Sequence, residues 1–264
     1  MSSIKDCKIC KSKKLIFIKK FNKKILGENL FGLEKKKTYE RKLYKCHCGH
    51  YYNIHKFSKF LKEVYKKNYS NYSHSDIEKK FNKILSLKNK SSNLKRINFI
   101  KMRINNKNEI LDVGSGMGIF PYTLKKKGYS VDCIESDKNM CNFLKKKKLK
   151  LVSQNLLKIK NLKKKYDLIT FNKILEHFEL NKIKKILINY KKLLKPDGKI
   201  YIEVPDSLAS KKGIDRQEFY FEHYNIFSKK SLKILLQDLD FKINYLKSIY
   251  EINKKFTLRA LISL

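Results

Sequence analysis

The ten residues Glu109-Ile-Leu-Asp-Val-Gly-Ser-Gly-Met-Gly118 constrain the fold more than any other stretch of the chain. A short apolar run suited to a buried strand ends in glycines, and a segment predicted to be helical follows at once. Glycines let a backbone turn tightly and approach a ligand closely, while the first turn of a helix offers free amides to a carboxylate. The spacing of Gly114, Gly116 and Gly118 is G-x-G-x-G, which departs from the G-x-G-x-x-G of pyrophosphate-binding dinucleotide sites.

Beyond this loop, strands and helices alternate. Strands are predicted at Glu109–Val113, Ser130–Ile134, Leu149–Ser153, Tyr166–Phe171 and Lys199–Val204, and helices at Ile119–Lys127, Lys138–Lys146, Ile174–Leu194 and Lys229–Asp238. That order describes an α/β fold, a mostly parallel sheet with helices on both faces. Pro196-Asp197-Gly198 is expected to turn the chain into the fifth strand. Alternation at Phe241, Ile243 and Tyr245, and again at Phe256, Leu258, Ala260 and Ile262, predicts a closing hairpin. Upstream, Ile54, Phe57, Phe60, Leu61, Val64 and Tyr65 are spaced as a helix, and a polar break over 68–75 precedes another. Ser75 or Asp76 would cap that next helix, which buries Ile77, Phe81, Ile84 and Leu85.

The second predicted strand of the sheet ends at Glu135, twenty-one residues after Gly114. A carboxylate there can accept both hydroxyls of a ribose, while Asp112 and the loop backbone can hold the amino and carboxylate ends of methionine. The glycine loop, its strand–helix setting and the acidic end of the next strand carry the signal together.

Residues 1–53 read as a small β-rich unit, with an apolar strand at Leu15–Phe21. Cys7-x-x-Cys10 and Cys46-x-Cys48 can bring four thiolates to one tetrahedral Zn²⁺, with His47 or His50 as a possible substitute ligand. So small a unit has little core of its own, and a structural metal would supply much of its folding energy. Cys133 and Cys141 fall in the predicted sheet domain and read as packing residues. The opening residues show no apolar run followed by a cleavage site, and no stretch is long and apolar enough to span a bilayer. A cytoplasmic location is therefore expected, where close cysteine pairs suggest metal before disulfide.

A net charge of +39 invites a nucleic-acid reading. Two features weigh against it. Only five of the basic residues are Arg, the residue favoured for bidentate contacts, and the lysines are spread along the whole chain. Abundant Lys, Asn and Ile with scarce Gly, Pro and Ala matches an A/T-rich coding sequence, so charge alone does not choose the partner.

Past the fifth strand, Arg216-Gln-Glu-Phe-Tyr-Phe-Glu-His-Tyr-Asn-Ile-Phe-Ser228 places Tyr220, Glu222 and His223 within four residues. A phenol, a carboxylate and an imidazole can take a proton, orient the base and steady a developing charge; structural packing of the aromatics and a single hydrogen bond from His223 is the plain alternative.

From 107 to the end, the glycine loop, Glu135 and Tyr166-Asp-Leu-Ile-Thr-Phe-Asn-Lys-Ile-Leu-Glu-His177 resemble the class I, Rossmann-like methyltransferases that use S-adenosylmethionine. The resemblance implies a seven-stranded sheet and cofactor contacts from Asp112, Gly114, Gly116, Gly118, Glu135, Asn155 facing the adenine, and Asn172 near the methyl donor. A cysteine-bearing N-terminal module followed by a Tyr-x-Glu-His segment is similar to sugar methyltransferases of surface-polysaccharide pathways. That likeness implies a zinc-ribbon-like module over 1–53, linking helices over 54–106 and a methyltransferase domain over 107–264. It implies a nucleotide-linked sugar as the small-molecule acceptor and His223 as general base, with Tyr220 and Glu222 beside the sugar. Glu176 and His177 match a motif common across the broader group, structural or catalytic. An RNA or protein methyltransferase using the basic surface and the zinc module stays open beside this reading.

Overall fold

In the middle of the chain, consecutive residues of the strands are buried with little alternation, as in strands covered on both faces. A computed structural model of the protein shows this covering; it describes residues 5–33, 38–73, 76–104, 108–159 and 161–264. In chain order the elements are β1 (Leu15–Phe21), β2 (Arg41–Cys46), β3 (Tyr51–Ile54), α1 (Ser58–Glu63), a π-helical turn (Val64–Asn68), α2 (Tyr69–Ser73), α3 (Ile77–Ser86) and α4 (Ser92–Lys101). The sheet region follows with β4 (Glu109–Val113), α5 (Ile119–Lys126), β5 (Ser130–Ile134), α6 (Lys138–Lys146), β6 (Lys150–Ser153) and β7 (Tyr166–Asn172). The rest is α7 (Leu180–Lys191), β8 (Leu194–Pro205), β9 (Asn225–Ile226), α8 (Lys229–Gln237), β10 (Lys242–Tyr250) and β11 (Phe256–Ser263).

Seven strands form one sheet in the order β10-β11-β8-β7-β4-β5-β6. β4 pairs in parallel with β5 on one side and β7 on the other, and β5 pairs in parallel with β6. The chain therefore winds outward from β4 in both directions, and such a reversal opens a crevice at the carboxyl ends of the strands. Ile110, Leu111 and Val113 of β4 are fully buried, as are Leu168, Ile169 and Phe171 of β7. Helix α5 packs on β5, α6 on β6 and α8 on β10. β10 and β11, predicted as a closing hairpin, are neighbours in this sheet.

A second sheet of four strands runs β1-β2-β3-β9, antiparallel at each pairing. Its last strand is two residues long and comes from far along the sequence, with Tyr51 opposite Ile226 and Tyr52 opposite Asn225. The chain condenses into two compact units that interleave in sequence: Met1–Lys62, Lys173–Leu187 and Ile202–Ile262 in one, and Glu63–Asn172, Ile188–Tyr201 and Ser263–Leu264 in the other. Among the described residues no helix is long and apolar enough to cross a membrane.

Three local expectations are corrected. Ile54, read as the start of a helix, ends β3, because pairing with β2 and β9 claims residues 51–54; helix begins only at Ser58. The polar break after Asn68 is helical through Ser73, held by hydrogen bonds from the Ser70 backbone and hydroxyl to the Asp137 carboxylate. The long helix predicted over 174–194 starts at Leu180 instead, after a 3₁₀ turn at Leu175–His177. In addition, Pro196-Asp-Gly198 runs within β8 rather than turning before it; Gly198 fits there because a Cβ would meet the Lys195 and Tyr166 carbonyl oxygens at 2.9 Å. Asp76 caps α3 by accepting from the Lys79 amide, while Phe81 is the buried residue of that helix. Ser75, the other possible cap, and the expected boundary at 106–107 lie outside the described residues.

Candidate active site

The glycine loop sits at the carboxyl end of β4. Gly116 and Gly118 both take positive φ, +54° and +77°. Gly118 is also packed from the side: a Cβ would lie 2.5 Å from the Leu144 side chain and 2.7 Å from that of Leu149, so any other residue must displace the ends of these two leucines as well as adopt the left-handed backbone. Asp112 is buried and its Oδ1 accepts from the Thr170 hydroxyl at 2.6 Å and the Asn172 amide at 3.1 Å. Burial pushes the Asp112 carboxyl above its usual range, against the pull of these hydrogen bonds. The other side of the Asn172 amide, Oδ1, is buried with no hydrogen-bond partner, an acceptor ready for a ligand N–H.

Glu135, at the end of β5, is gripped by backbone amides. Its Oε1 accepts from Ser136 and Asp137 at 2.7 and 2.9 Å, and its Oε2 accepts from Gly116 at 2.6 Å. The carboxylate thereby ties β5 to the glycine loop beside β4. Burial raises its pKa while the three amides oppose that shift. Asn155 is exposed, and its Oδ1 caps the Leu157 amide in a local turn. The two remaining cysteines are packing residues here: Cys133 clusters with Leu144 and Leu149, and the buried Cys141 thiol donates to the Glu135 carbonyl.

In the other unit, the segment 216–224 folds against the 3₁₀ turn 175–177. The Tyr224 amide donates to the Glu176 carbonyl at 2.8 Å, and His177 Nδ1 lies 3.2 Å from the Glu222 carbonyl. These bonds explain why residues 175–177 leave the helix predicted for them. His223 Nδ1 lies 3.1 Å from the Glu218 carbonyl oxygen, so Nδ1 carries the proton and Nε2 the lone pair. That Nε2 is 3.8 Å from a Glu222 carboxylate oxygen, and the His223 ring meets the His177 ring edge-on at 4.9 Å between centroids. Burial, helped by His177, holds the His223 pKa well below 6.5, so the ring is neutral near pH 7. Tyr220 points elsewhere, donating its hydroxyl to the Leu26 carbonyl at 3.0 Å. Just before this turn, Lys173 has a left-handed backbone, φ +57°, with its ammonium engaged by Glu251.

The four cysteines of the N-terminal segment converge. Their sulphurs lie within 4.8 Å of one another, with Cys10 and Cys46 at 3.4 Å and Cys7 and Cys48 at 3.9 Å, and none is in a disulfide. Four thiolates on a tetrahedral zinc with bonds of about 2.3 Å stand about 3.8 Å apart, so the spacing suits that ion. The hydrogen bond from Cys48 holds the Cys7 thiol well below its usual range and pushes Cys48 well above. Neither flanking histidine joins the cluster: His50 is buried with its ring nitrogens at Asn225 and Ser231, and His47 lies beside Cys46.

The residues that sequence reasoning passed over are those binding this segment to the loop of His223. Asn53 on β3 donates from Nδ2 to the carbonyls of Phe219, Tyr220 and His223. Arg41 on β2, fully buried, donates to Asn53 Oδ1 and to the Tyr39 hydroxyl, both at 2.6 Å. Glu28 accepts from the Phe221 amide at 2.6 Å and from Tyr39. No sequence signal marks these residues, since an isolated Arg or Asn in a strand reads as surface.

The family profile described as a methyltransferase domain matches residues 81–246, more than half of the 264. No curated protein matches the chain in sequence. Among solved structures the fold is similar to magnesium protoporphyrin IX methyltransferase from Synechocystis PCC 6803 with bound SAH, at TM-score 0.58 and 14% identity over 76% of this chain and 98% of that one. It is similar to the PH0226 protein from Pyrococcus horikoshii OT3 at TM-score 0.54 and 16% identity, covering 72% and 94%. The glycopeptide N-methyltransferase MtfA gives TM-score 0.54 and 11% identity, covering 65% and 90%. At such identities the structural likeness concerns the fold, and it is the family profile, laid over the glycine loop and its sheet, by which the chain belongs to the methyltransferase-domain family.

Proposed function

We propose that this methyltransferase transfers a methyl group from S-adenosylmethionine to a nucleotide-linked sugar or a related polysaccharide precursor, with His223 as general base. The donor follows from the family and from the glycine loop: the amides of the loop meet a carboxylate, the unpartnered Asn172 Oδ1 suits the amino group of the methionine end, and Glu135 suits a ribose diol. Gly114, Gly116 and Gly118 give the loop its close approach, Asp112 holds Asn172 in place, and Asn155 stands for the adenine contact.

The observation that carries the acceptor reading is the tautomer of His223. With Nδ1 bound to the Glu218 carbonyl, Nε2 is free to take a proton, and the Glu222 carboxylate at 3.8 Å steadies the imidazolium that results. The methyl passes to the acceptor atom as the sulfonium leaves as a thioether, and the proton lost by the acceptor goes to Nε2. The side chains of His223 and Glu222 are only 14% and 16% exposed, so the pair is largely shielded from bulk water. Tyr220 braces the loop through Leu26, and His177 backs the His223 ring. The four cysteines hold one structural zinc at the turn that joins β2 to β3, the two strands on which Arg41 and Asn53 are mounted.

His223→Ala is expected to abolish transfer of radiolabelled methyl to a nucleotide-sugar pool, about 10²–10⁴-fold, while leaving cofactor affinity nearly unchanged. Transfer to the sugar acceptor should respond weakly to salt. Label entering only RNA, with binding that falls steeply as salt rises, would replace this reading with the nucleic-acid one.

A further inference from the structure

Glu176, His177 and His223 bring three ligand atoms within 4.8 Å of one another, at a place distinct from the cysteine cluster. The two rings are set in a particular way. Each has its Nδ1 at a backbone carbonyl, His177 at Glu222 and His223 at Glu218, which leaves Nε2 as the nitrogen with a lone pair. Metal-bound histidines are commonly oriented by such a bond from the second nitrogen to a carbonyl. Glu176 is the independent observation. Its side chain sits at 1% exposure, and Oε2 has no hydrogen-bond partner. A buried carboxylate oxygen without a donor is costly, and its presence calls for a ligand that supplies positive charge.

We propose that Glu176, His177 and His223 form a second metal site, of two imidazoles and one carboxylate, for a divalent first-row transition ion of the zinc, nickel or cobalt class. Bonds of about 2.0–2.2 Å require ligand atoms no more than about 4 Å apart, a contraction that small side-chain rotations provide. The donor set excludes a preference for thiophilic ions and disfavours Mg²⁺ and Ca²⁺, which take oxygen ligands. Glu222, at 3.8 Å from His223 Nε2, is placed to add a fourth ligand, an oxygen. Because the ion would occupy the nitrogen that accepts the substrate proton, its binding should inhibit methyl transfer reversibly; this consequence rests on His223 being the base, whereas the binding itself does not.

The test uses the full chain with its cysteine site already filled with zinc, titrated with Co²⁺ by calorimetry and visible absorption. One further equivalent is expected, with the spectrum of nitrogen and oxygen coordination and without the intense near-ultraviolet bands of cobalt bound to thiolate. His177→Ala should weaken that equivalent by more than the roughly 10–100-fold that loss of a supporting hydrogen bond costs. Should that variant fail to fold, Glu176→Gln, nearly identical in shape but without the charge, should do the same. No second equivalent, or one unaffected by both substitutions, overturns the site. If the ion binds as described and transfer continues undiminished, the metal assignment stands and it is the base role of His223 that fails.

Discussion

The side-chain amide of Asn53 lies 2.8 Å from the carbonyl oxygen of His223 and also donates to the carbonyls of Tyr220 and Phe219. One residue of a short N-terminal strand thus fixes the backbone of the loop proposed to carry the acid–base chemistry. Asn53→Ala should leave these carbonyls short of donors, at about 1–3 kcal/mol of stability, and also lower kcat with little change in cofactor affinity. Thermal melts paired with steady-state kinetics check this. Lost stability with kcat intact would mean that Asn53 only holds the sheet together.

The glycine loop predicts an order of sensitivity. Gly118→Ala combines a left-handed backbone with contacts at 2.5 and 2.7 Å to Leu144 and Leu149, whereas at Gly116 nothing lies within 4 Å of an added Cβ. Overpacking costs about 1–3 kcal/mol beyond backbone strain. Urea denaturation should therefore rank Gly118→Ala well below Gly116→Ala in stability, and the reverse order would contradict the packing described.

Glu135 joins Gly116 to the turn after β5 and is proposed to receive the ribose. Hydrogen bonds to a charged group are worth about 1.5–3 kcal/mol, so Glu135→Ala should weaken S-adenosylmethionine by about 10–100-fold in calorimetry. Unchanged affinity would restrict Glu135 to bracing the loop.

Elemental analysis of protein purified without chelator should find about one tightly held zinc per chain. The double substitution of Cys7 and Cys10 by Ser should lose it. Because β2 and β3 run from this cluster to Arg41 and Asn53, the metal-free variant should also lose methyl transfer. A variant without zinc that keeps full activity would separate the cluster from the loop.

His55 is buried and neutral, with Nδ1 accepting from the Phe57 amide and Nε2 donating to the Phe221 carbonyl. Burial, together with the nearby Arg41 charge, lowers its pKa to about 4 from an unfolded value near 6.5. The unfolded chain therefore binds a proton that the folded chain refuses. The stability His55 contributes is complete above about pH 6.5 and is lost as pH falls toward 4. His55→Gln should flatten the fall of the melting temperature across that window, and an unchanged pH profile would show that other groups dominate it.

What the sequence determined by itself was local and periodic. The run Glu109–Gly118, the alternation of short strands with helices and the paired cysteines each announce their structure within a few residues, because strand burial, tight turns and metal spacing are short-range constraints. The Asp76 cap and the closing β10–β11 pair were legible for the same reason. Tertiary structure decided the rest. Ile54 became strand because it closes the β2–β3 ladder opposite Lys42, a ladder whose other side is met at Tyr51 and Tyr52 by Ile226 and Asn225, about 170 residues away. His177 left its predicted helix because the loop of Glu222 and Tyr224 claims hydrogen bonds from that turn. The orphaned oxygen of Glu176 and the three carbonyls held by Asn53 arise only when distant segments meet. Such contacts follow neither a 3.6-residue nor a two-residue period, so only the folded chain reveals them.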